Sequence, residues 1–433
     1  MIPPFARRTD WKTAPNELSA RLKRLKSQGV PILDLTESNP TRCHFKYLNL
    51  ELLSALNDPN NLNYEPSPKG RLKARQIIQN DYRHKQIEIN PEQIFLTSST
   101  SEAYSFIFRL LLNPGERILA PQPSYPLFQF LTDLNDVAID FYPLVYDRGW
   151  NMDVDKLKEQ LKKETKALIL VHPNNPTGSF VKKSELKEIV QIAKDKSLAL
   201  ISDEVFSDYD LEKGTGNISR LSPFLSERAS SLAEIKEVLT FTLGGISKTL
   251  GLPQMKLAWT VVNGPEKILN ATLERLEIIH DTYLSVNIPA QNALASWFSK
   301  KAQIQEEIKK RIKDNQTFIT SQLASSNISY LEPEGGWYGI LHFRRRNAKF
   351  FPKSTGALAP VKLPKTQSEE EWVIQFLEED RVLVHPGYFF DFAEEAFIVM
   401  SLITEPNSFR EGISRILKRV NSRIPSPSLE GEG

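Results

Sequence analysis

Short apolar segments alternate with longer amphipathic ones from about residue 92 to residue 263, and this alternation restricts the possible folds more than any other feature. Between residues 97 and 117, apolar side chains recur at helical spacing until an Asn-Pro-Gly turn at 113–115. The pattern predicts an α/β fold in which helices cover both faces of a mostly parallel sheet. Six segments have the length and composition of buried strands, namely 94–97, 117–120, 167–171, 198–202, 238–243 and 257–262.

The pattern changes after residue 263. Long, charged helical segments at 265–280 and 304–323 precede strand-like runs at 338–343, 382–384 and 397–402. We therefore expect a second, smaller α+β domain. The predicted division is an N-terminal arm with part of the small domain at 1–50, a large domain at 51–285 and a small C-terminal domain at 286–420. Residues 421–433 are polar and rich in Pro, Ser and Gly, which predicts a disordered tail.

Composition argues against several classes of function. The 55 basic and 53 acidic residues give a net charge of +2, so we expect no basic surface for nucleic acid. Cys43 is the only cysteine, which excludes an intramolecular disulfide and a cysteine-based zinc site, and we expect no bound metal. The N-terminus lacks the apolar core of a signal peptide, and no stretch approaches 18 apolar residues. We expect a cytoplasmic protein without a membrane partner.

Polar segments follow the predicted strands at the sheet edge where α/β proteins bind their ligands. Ser99, Thr100 and Ser101 open the helix after the first strand, and Ser99 with Glu102 has the spacing of a capping box. Helix capping alone would explain this segment, and the alternative is a phosphate bound at the helix N-terminus. Tyr125 lies in a Pro-Ser-Tyr-Pro turn after the second strand. It could pack on the surface or form a platform for a flat ring.

The next three strand ends carry an amide, a carboxylate and an amine. The segment HPNNPTG at residues 172–178 forms a tight turn and places two asparagines at a strand end. Asp203 follows a buried strand, so its carboxylate needs a partner. Lys248 follows a strand that ends in two glycines. Such a lysine is usually a solvated surface charge, and the functional alternative is a partly desolvated amine that forms a Schiff base.

The order and spacing of these residues are more informative than any single one. The set consists of Ser99, Thr100, Ser101, Tyr125, Asn175, Asp203, Lys248 and Lys256. In this arrangement the chain resembles the class I/II aminotransferases from about residue 30 to residue 415. The resemblance implies fold type I, with a mostly parallel seven-stranded sheet sandwiched by helices, and pyridoxal 5′-phosphate as cofactor. It also implies transfer of an amino group between an amino acid or amine and a 2-oxo acid.

The resemblance implies a role for each matching residue. Lys248 would form the Schiff base with the cofactor and then act as general base and acid. Asp203 would keep the pyridine nitrogen protonated, and Asn175 would donate a hydrogen bond to the ring oxygen O3′. Tyr125 would stack on the ring.

Other positions would hold the cofactor phosphate. The resemblance implies that Ser99, Thr100 and Ser101 bind it, and that Ser247 and Lys256 complete the cofactor site. Tyr64 matches a tyrosine that reaches the phosphate in the partner subunit. A composite site of this kind implies a C₂ homodimer.

Four positions depart from the family pattern. Phe206 stands where a tyrosine usually donates to O3′, and Gly245 stands where many members have a phosphate-binding serine. Lys256 replaces an arginine, which keeps the charge but loses the bidentate fork. The largest departure is Val399, because most members have at this position the arginine that binds the substrate α-carboxylate.

The replacement for that arginine remains open. Ser38 stands where glycine is common in the substrate-facing loop, and Arg42 just beyond it could bind a carboxylate in bidentate fashion. Arg42 could equally be a solvated loop charge. Three consecutive arginines at 344–346 are a competing source of charge, although they cannot all face one site. The remaining alternative is a substrate without an α-carboxylate.

Three functions are compatible with this sequence. The leading one is an aminotransferase whose carboxylate site has been rebuilt. The second is another reaction of the same cofactor, such as elimination by a C–S or C–N lyase. The third is a non-catalytic, cofactor-binding regulatory protein, since fold alone does not determine function. The presence of both Lys248 and Asp203 argues against the third.

Overall fold

The computed structural model describes residues 5–147, 149–211, 227–284, 286–323, 328–343 and 368–423. The strands in these ranges are β1 (Leu33–Asp34), β2 (Ile94–Thr97), β3 (Arg117–Gln122), β4 (Ala138–Tyr146), β5 (Trp150–Met152), β6 (Thr165–Val171), β7 (Ala199–Asp203), β8 (Thr240–Gly245), β9 (Ala258–Asn263), β10 (Ile328–Leu331), β11 (Tyr338–Phe343), β12 (Val382–Leu383), β13 (His385–Pro386) and β14 (Phe397–Ser401).

The α-helices lie between these strands and at both ends of the chain. In the same ranges they are α1 (Glu17–Ser27), α2 (Leu50–Ser54), α3 (Leu72–His84), α4 (Thr100–Leu111), α5 (Phe128–Leu134), α6 (Val154–Gln160), α7 (Lys183–Lys196), α8 (Ile246–Thr249), α9 (Glu266–Tyr283), α10 (Ile288–Ser299), α11 (Lys301–Leu323), α12 (Glu369–Glu378) and α13 (Pro406–Arg423).

The largest sheet has the strand order β2-β9-β8-β7-β6-β3-β4-β5. The neighbouring pairs from β8 to β4 are parallel, whereas every pair that includes β9 or β5 is antiparallel. The other six strands therefore run in one direction and end at one edge. The order of connection reverses between β3 and β6, and such a switch point leaves a crevice outside the carboxyl ends of the strands.

Alternate residues of the central strands face two different helical layers. In β6, Ile169 packs in the same core as residues of α4 and α9, whereas Leu168 and Leu170 pack with residues of α6 and α7. This division follows from the two-residue period of a strand, which sends successive side chains to opposite faces. The predicted sandwich of helices around a mostly parallel sheet is therefore confirmed.

Among the described residues this sheet has eight strands, so the predicted number of seven is too low. The six strands predicted from apolar runs are all present, and each end agrees within two residues. Strands β4 and β5 were not predicted. Strand β4 is mostly half-buried and contains Asp140 and Pro143, so it lacks a continuous apolar pattern. Strand β5 has three residues and pairs only with β4 at the sheet edge.

A second sheet lies in the C-terminal part of the chain and has the order β10-β11-β14-β13, with antiparallel pairs throughout. Strand β1 pairs in parallel with β12, which joins the N-terminal segment to the C-terminal one. The domain boundaries given above remain predictions. Residues 421–423, predicted as the start of a disordered tail, are instead the last residues of α13, and residues 424–433 lie outside the described ranges.

The long helices are amphipathic. In α11, isoleucines recur at a spacing of about one turn and are buried, while charged residues occupy the positions between them. Among the described helices, none combines the length and the apolar character needed to cross a membrane. The isoleucines buried on α11 are Ile304, Ile308, Ile312 and Ile319.

Candidate active site

Lys248 lies in the short helix α8, immediately after β8. Its amine is 4.8 Å from the centroid of the Trp337 ring and 5.3 Å from that of Phe206. Burial lowers the pKa of Lys248 to about 8, even though the carboxylate of Asp203 acts in the opposite direction. A lysine with this pKa is neutral, and therefore nucleophilic, in a much larger fraction of molecules than a solvated lysine.

Asp203 ends β7, the strand next to β8. Its carboxylate is buried, accepts a hydrogen bond from the Tyr104 hydroxyl at 3.2 Å and accepts another from the Val205 N–H at 3.2 Å. Burial raises the pKa of Asp203 to about 6, although both hydrogen bonds and Lys248 lower it. The two hydrogen-bond donors are neutral, so they do not cancel the negative charge of the carboxylate. A cationic group that enters the crevice can therefore pair with it.

Two asparagines follow β6 at the switch point, and their surroundings differ. Asn174 donates to the Pro123 carbonyl at 3.1 Å and accepts from the Ser124 hydroxyl at 3.1 Å, so it joins the turns after β3 and β6. The Asn175 side chain lowers the pKa of the Tyr338 hydroxyl, although burial has the larger effect and raises that pKa. Its Oδ1 atom is buried and has no partner among the described residues. An unsatisfied buried carbonyl oxygen can accept a hydrogen bond from a group that enters the crevice.

Tyr125 follows β3 on the other side of this switch point. Its ring is half-buried and meets Phe128 edge-on at 5.8 Å. Burial raises the pKa of Tyr125 to about 12, with a further contribution from the Asp203 carboxylate. The structure thus brings Tyr125, Asn175, Asp203 and Lys248 to one edge of the sheet.

The N-terminus of α4 lies at the same edge. The Ser99 hydroxyl accepts the Glu102 N–H at 3.1 Å, as the capping interpretation requires. The Glu102 carboxylate, however, accepts the N–H and the hydroxyl of Ser98 at 2.7 and 3.0 Å, so the reciprocal contact of the predicted capping box is displaced by one residue. Thr100 and Ser101 are half-buried in the first turn. Backbone N–H groups in a first turn lack intrahelical partners and can bind a phosphate.

Three further predicted cofactor residues lie away from this group or at its margin. Ser247 is half-buried in α8 next to Lys248, whereas Lys256 is exposed. Tyr64 is 73% exposed. A side chain that reaches into a second subunit has to be exposed in the isolated chain, so this exposure is compatible with the predicted role of Tyr64.

The predicted substrate residues have three different environments. Ser38 is half-buried, and its side chain lowers the pKa of the Tyr338 hydroxyl. The Arg42 side chain is 74% exposed, and its Nη1 lies 3.7 Å from a carboxylate oxygen of Glu37. Val399 is fully buried in β14, between β11 and β13. The three arginines at 344–346 lie outside the described residues.

Several residues of the site were missed by sequence reasoning. Tyr104 bonds Asp203, and Tyr209 donates its hydroxyl to the backbone carbonyl of Lys248 at 2.7 Å. Trp337 and Tyr338 approach from the start of β11, in the other sheet. Each of these aromatic residues resembles an ordinary core residue in the sequence. The two glycines before Trp337 were the one available signal of a close backbone approach.

A buried network of charges supports the segment that follows Asp203. The Asp208 carboxylate lies 2.8 Å from the Lys85 amine and 3.2 Å from that of Lys301, and Asp81 bonds Lys301 as well. Burial alone would raise the pKa of Asp208, but the two lysines lower it to about 2. The network therefore ties α3 and α11 to the loop that carries Tyr209.

Comparison with known proteins assigns the chain to a family. The family model described as aminotransferase class I and II matches residues 32–416. The chain belongs to this family. The glutamate-pyruvate aminotransferase AlaA of Haemophilus influenzae is 27% identical over 402 residues, which cover 91% of this chain and 92% of the relative. The AlaA protein of Escherichia coli is 27% identical over 376 residues, 85% of each chain.

A solved structure shows the same fold. The alanine aminotransferase from Pyrococcus furiosus superposes with a TM-score of 0.82 at 23% sequence identity, covering 97% of this chain and 100% of that one. The chain is therefore a fold type I, pyridoxal-phosphate-dependent aminotransferase, an enzyme that catalyses transamination. The predicted fold class, cofactor and reaction class are confirmed, and the elimination and non-catalytic alternatives are not favoured.

Proposed function

We propose that Lys248 carries the pyridoxal phosphate of this aminotransferase and moves the proton during amino transfer. The observation that carries the proposal is the position of Lys248 beside Asp203. The two residues lie at the ends of the adjacent parallel strands β8 and β7, and Asp203 is paired in register with Leu243. A buried amine and a buried carboxylate thus face one crevice at the switch point of the sheet.

The polar groups around the crevice suit the chemistry of this cofactor. The buried carboxylate of Asp203 suits a protonated pyridine nitrogen. The first turn of α4, with Ser99, Thr100 and Ser101, suits the phosphate dianion. The side-chain N–H₂ group of Asn175, at the same edge of the sheet, suits the ring oxygen O3′ as a hydrogen-bond donor. When bound, pyridoxal phosphate supplies an electron-withdrawing ring that stabilises negative charge on the substrate Cα.

The residues of the chain then have distinct tasks. The Lys248 amine bonds the cofactor and, once released by the substrate, holds and moves a proton at the substrate Cα. Its lowered pKa keeps a large neutral fraction near neutral pH. The rings of Trp337 and Phe206 cover the amine and exclude water from it. Tyr125 provides a half-buried aromatic surface for the cofactor ring.

We extend the proposal to the phosphate end of the site. Ser247 lies beside Lys248 in α8 and would add a hydroxyl to the phosphate contacts made by Ser99, Thr100 and Ser101. The exposed Lys256 would add positive charge without a fixed geometry.

We also propose that the enzyme is a homodimer in which Tyr64 of one subunit contacts the cofactor phosphate of the other. Around Tyr64, the segment 50–64 exposes several large apolar side chains, including Leu50 and the 90% exposed Leu62. A cluster of this kind marks an interaction surface. The single buried thiol, Cys43, supports a reducing compartment, and we propose the cytoplasm.

The substrates follow from the reaction class and from the relatives. The names of the AlaA proteins give glutamate and pyruvate as their substrates. For this chain we propose an amino donor and a 2-oxo acid acceptor. Val399 stands where most members have the carboxylate-binding arginine, so other residues have to bind the donor.

The test uses the purified chain loaded with pyridoxal phosphate. Borohydride reduction followed by peptide mass spectrometry should place the label on Lys248, and a label on another lysine would contradict the assignment. A panel of amines is then added while the absorbance spectrum is followed. Conversion to the pyridoxamine form indicates transamination, release of ammonia with a keto acid indicates elimination, and no change with any amine indicates a non-catalytic protein.

A further inference from the structure

The helix that carries Lys248 has only one turn. The last carbonyl groups of any helix lack partners inside it, and α8, with four residues, consists largely of such groups. Three carbonyls in and just after α8 accept hydrogen bonds from side chains that are distant in the sequence. These side chains, which we call the clamp, belong to Tyr47, Tyr209 and Gln305.

Tyr209 acts on both ends of Lys248. Its hydroxyl donates to the Lys248 carbonyl at 2.7 Å, and its ring packs edge-on against Trp337 at 5.1 Å. The Trp337 ring lies 4.8 Å from the Lys248 amine. Tyr209 is fully buried, and the residue before it, Asp208, is paired with Lys301 of α11 at 3.2 Å. One side chain therefore fixes the main chain of Lys248 and the ring that covers its amine.

Tyr47 approaches the turn that follows α8. Its hydroxyl donates to the Gly251 carbonyl at 3.1 Å, in a buried position. Gly251 has a φ of +59°, and a Cβ at this position would lie 2.1 Å from the Tyr47 hydroxyl oxygen. The left-handed conformation and the close approach of the hydroxyl both favour a glycine here. The main chain three residues after Lys248 is thus shaped to receive Tyr47.

Helix α11 supports all three residues of the clamp. Gln305 belongs to α11 and donates its side-chain amide to the Thr249 carbonyl at 2.9 Å. Glu307 of the same helix accepts the Tyr47 N–H at 3.0 Å. Lys301, at the start of α11, holds the loop of the third clamp residue through the ion pair described above. The three donors are therefore fixed relative to one another by a single long helix.

The position of α8 matters because the Lys248 amine has to meet a particular atom of the substrate. A displacement of about 1 Å at a reacting group can slow a reaction about 10²-fold. A helix of one turn is not stable by itself, because helix nucleation is unfavourable and few hydrogen bonds follow it. The direction of the Lys248 side chain therefore depends on the groups that hold α8 from outside.

We propose that Tyr47, Tyr209 and Gln305 are positioning residues that hold Lys248 in the geometry required for proton transfer at the substrate Cα. The inference rests on the proposed function, because it takes Lys248 as the lysine that carries the cofactor and moves the proton. The clamp acts through the main chain of α8. Its loss should therefore slow proton transfer without weakening the binding of the amino donor.

The test removes one donor at a time in the cofactor-loaded enzyme. Tyr47→Phe and Tyr209→Phe delete only a hydroxyl, and Gln305→Met replaces the amide by an unbranched side chain of similar length. With the fastest-reacting amino acid of the amine panel, kcat should fall roughly fivefold to tenfold in each variant, the scale of one hydrogen bond. The KM should change by less than about twofold, because the contacts of the donor remain. The isotope effect of an α-deuterated donor should be at least as large as in the natural chain.

Hydrogen exchange gives a measurement that does not depend on turnover. Followed by mass spectrometry on the same cofactor-loaded proteins, the amides of residues 246–252 should exchange faster in each variant than in the natural chain. Tyr142→Phe and Gln79→Met are the matched controls, because their side chains donate to main-chain carbonyls at 2.9 and 2.8 Å elsewhere in the fold. The controls should leave both kcat and exchange at 246–252 unchanged.

The outcomes distinguish this inference from the proposed function. If borohydride labels Lys248 and the clamp variants keep the natural kcat, the inference is wrong and the proposed function stands. Equal losses of kcat in variants and controls, a rise of KM in proportion to the loss, or a smaller isotope effect would also overturn the inference. If one variant does not fold, the other two decide the result. If Lys248 is not labelled, the proposed function fails and the inference fails with it.

Discussion

The two sides of the crevice are built in different ways. On the cofactor side, Asp203, Lys248 and the first turn of α4 lie at the ends of strands in one sheet. On the proposed substrate side, Ser38 and Tyr338 come from segments 300 residues apart, the loop after β1 and the start of β11. Under the proposed function, the substrate side can vary without disturbing the sheet edge, so the chemistry can be kept while the substrate changes.

The strongest test of the cofactor side is Lys248→Ala. Under the proposed function, loss of the amine removes the covalent attachment and the proton carrier, so turnover should fall at least ~10²-fold, the usual scale for a lost general base. The absorbance of the lysine–cofactor adduct should disappear as well. Lys156→Ala, which changes an exposed lysine paired with Glu159, is the control and should leave both unchanged. Retained adduct absorbance in Lys248→Ala would assign the cofactor to another lysine.

A second test addresses the support of the cofactor side. Asp208→Ala removes the carboxylate that pairs with the amines of Lys85 and Lys301. Breaking a buried ion pair in this way costs about 3–5 kcal/mol of unfolding free energy. Urea denaturation measures this change. Asp155→Ala is the matched control, because that aspartate is 91% exposed in its pair with Lys158. An equal effect of the two substitutions would show that the network adds no stability.

The same carboxylate predicts a pH dependence of stability. The folded pKa of Asp208, about 2, lies below its ordinary value of 3.8. The contribution of ionised Asp208 to the free energy of unfolding is therefore fully present above pH 3.8 and is lost as the pH falls from there towards 2. The difference in stability between the natural chain and Asp208→Ala should shrink over that interval.

The third test concerns the hydrogen bond between Tyr104 and Asp203. Tyr104→Phe removes a donor that lowers the pKa of Asp203, so that pKa should rise. More of the carboxylate is then protonated at mildly acid pH, and the acid limb of kcat/KM should move to higher pH. At the acid end we expect a loss of roughly tenfold, the scale of a hydrogen bond to a charged group.

Tyr142→Phe is the control for this substitution. Its hydroxyl is also buried, but it donates to the Ile169 carbonyl at 2.9 Å and not to a carboxylate. The control should therefore lose some stability without any shift of the acid limb. An identical pH profile for the natural chain and Tyr104→Phe would show that this hydrogen bond does not tune Asp203.

The sequence was informative where a residue's role depends on a local pattern. Lys248 and Asp203 each follow a buried apolar run, and a parallel sheet brings such positions to one edge. Tyr104 was missed because it lies in the buried part of α4, where an aromatic residue needs no explanation beyond packing. Tyr338 was missed because its ring neighbours in the fold, Phe206 and Phe390, are distant in the sequence. Strand β4 was missed because a half-buried strand has a weak apolar pattern.

The smallest expected effect is at Phe206, which borders both sides of the crevice. Its buried ring contacts the Lys248 amine, Trp337 and Tyr338. Under the proposed function, Phe206→Tyr adds a donor to the cofactor's O3′. Such a donor stabilises the deprotonated form of the lysine–cofactor adduct, so the pKa of the adduct should fall. Asn175→Ala removes the other proposed donor and should raise it.

A spectrophotometric titration of the three proteins measures these shifts. Opposite shifts in the two variants would place Phe206 on the cofactor side. No shift, or a rise, in Phe206→Tyr would show that the new hydroxyl does not reach O3′. If the KM for the amino donor then changes while the adduct pKa does not, Phe206 belongs to the proposed substrate side, because its ring would act on the donor alone.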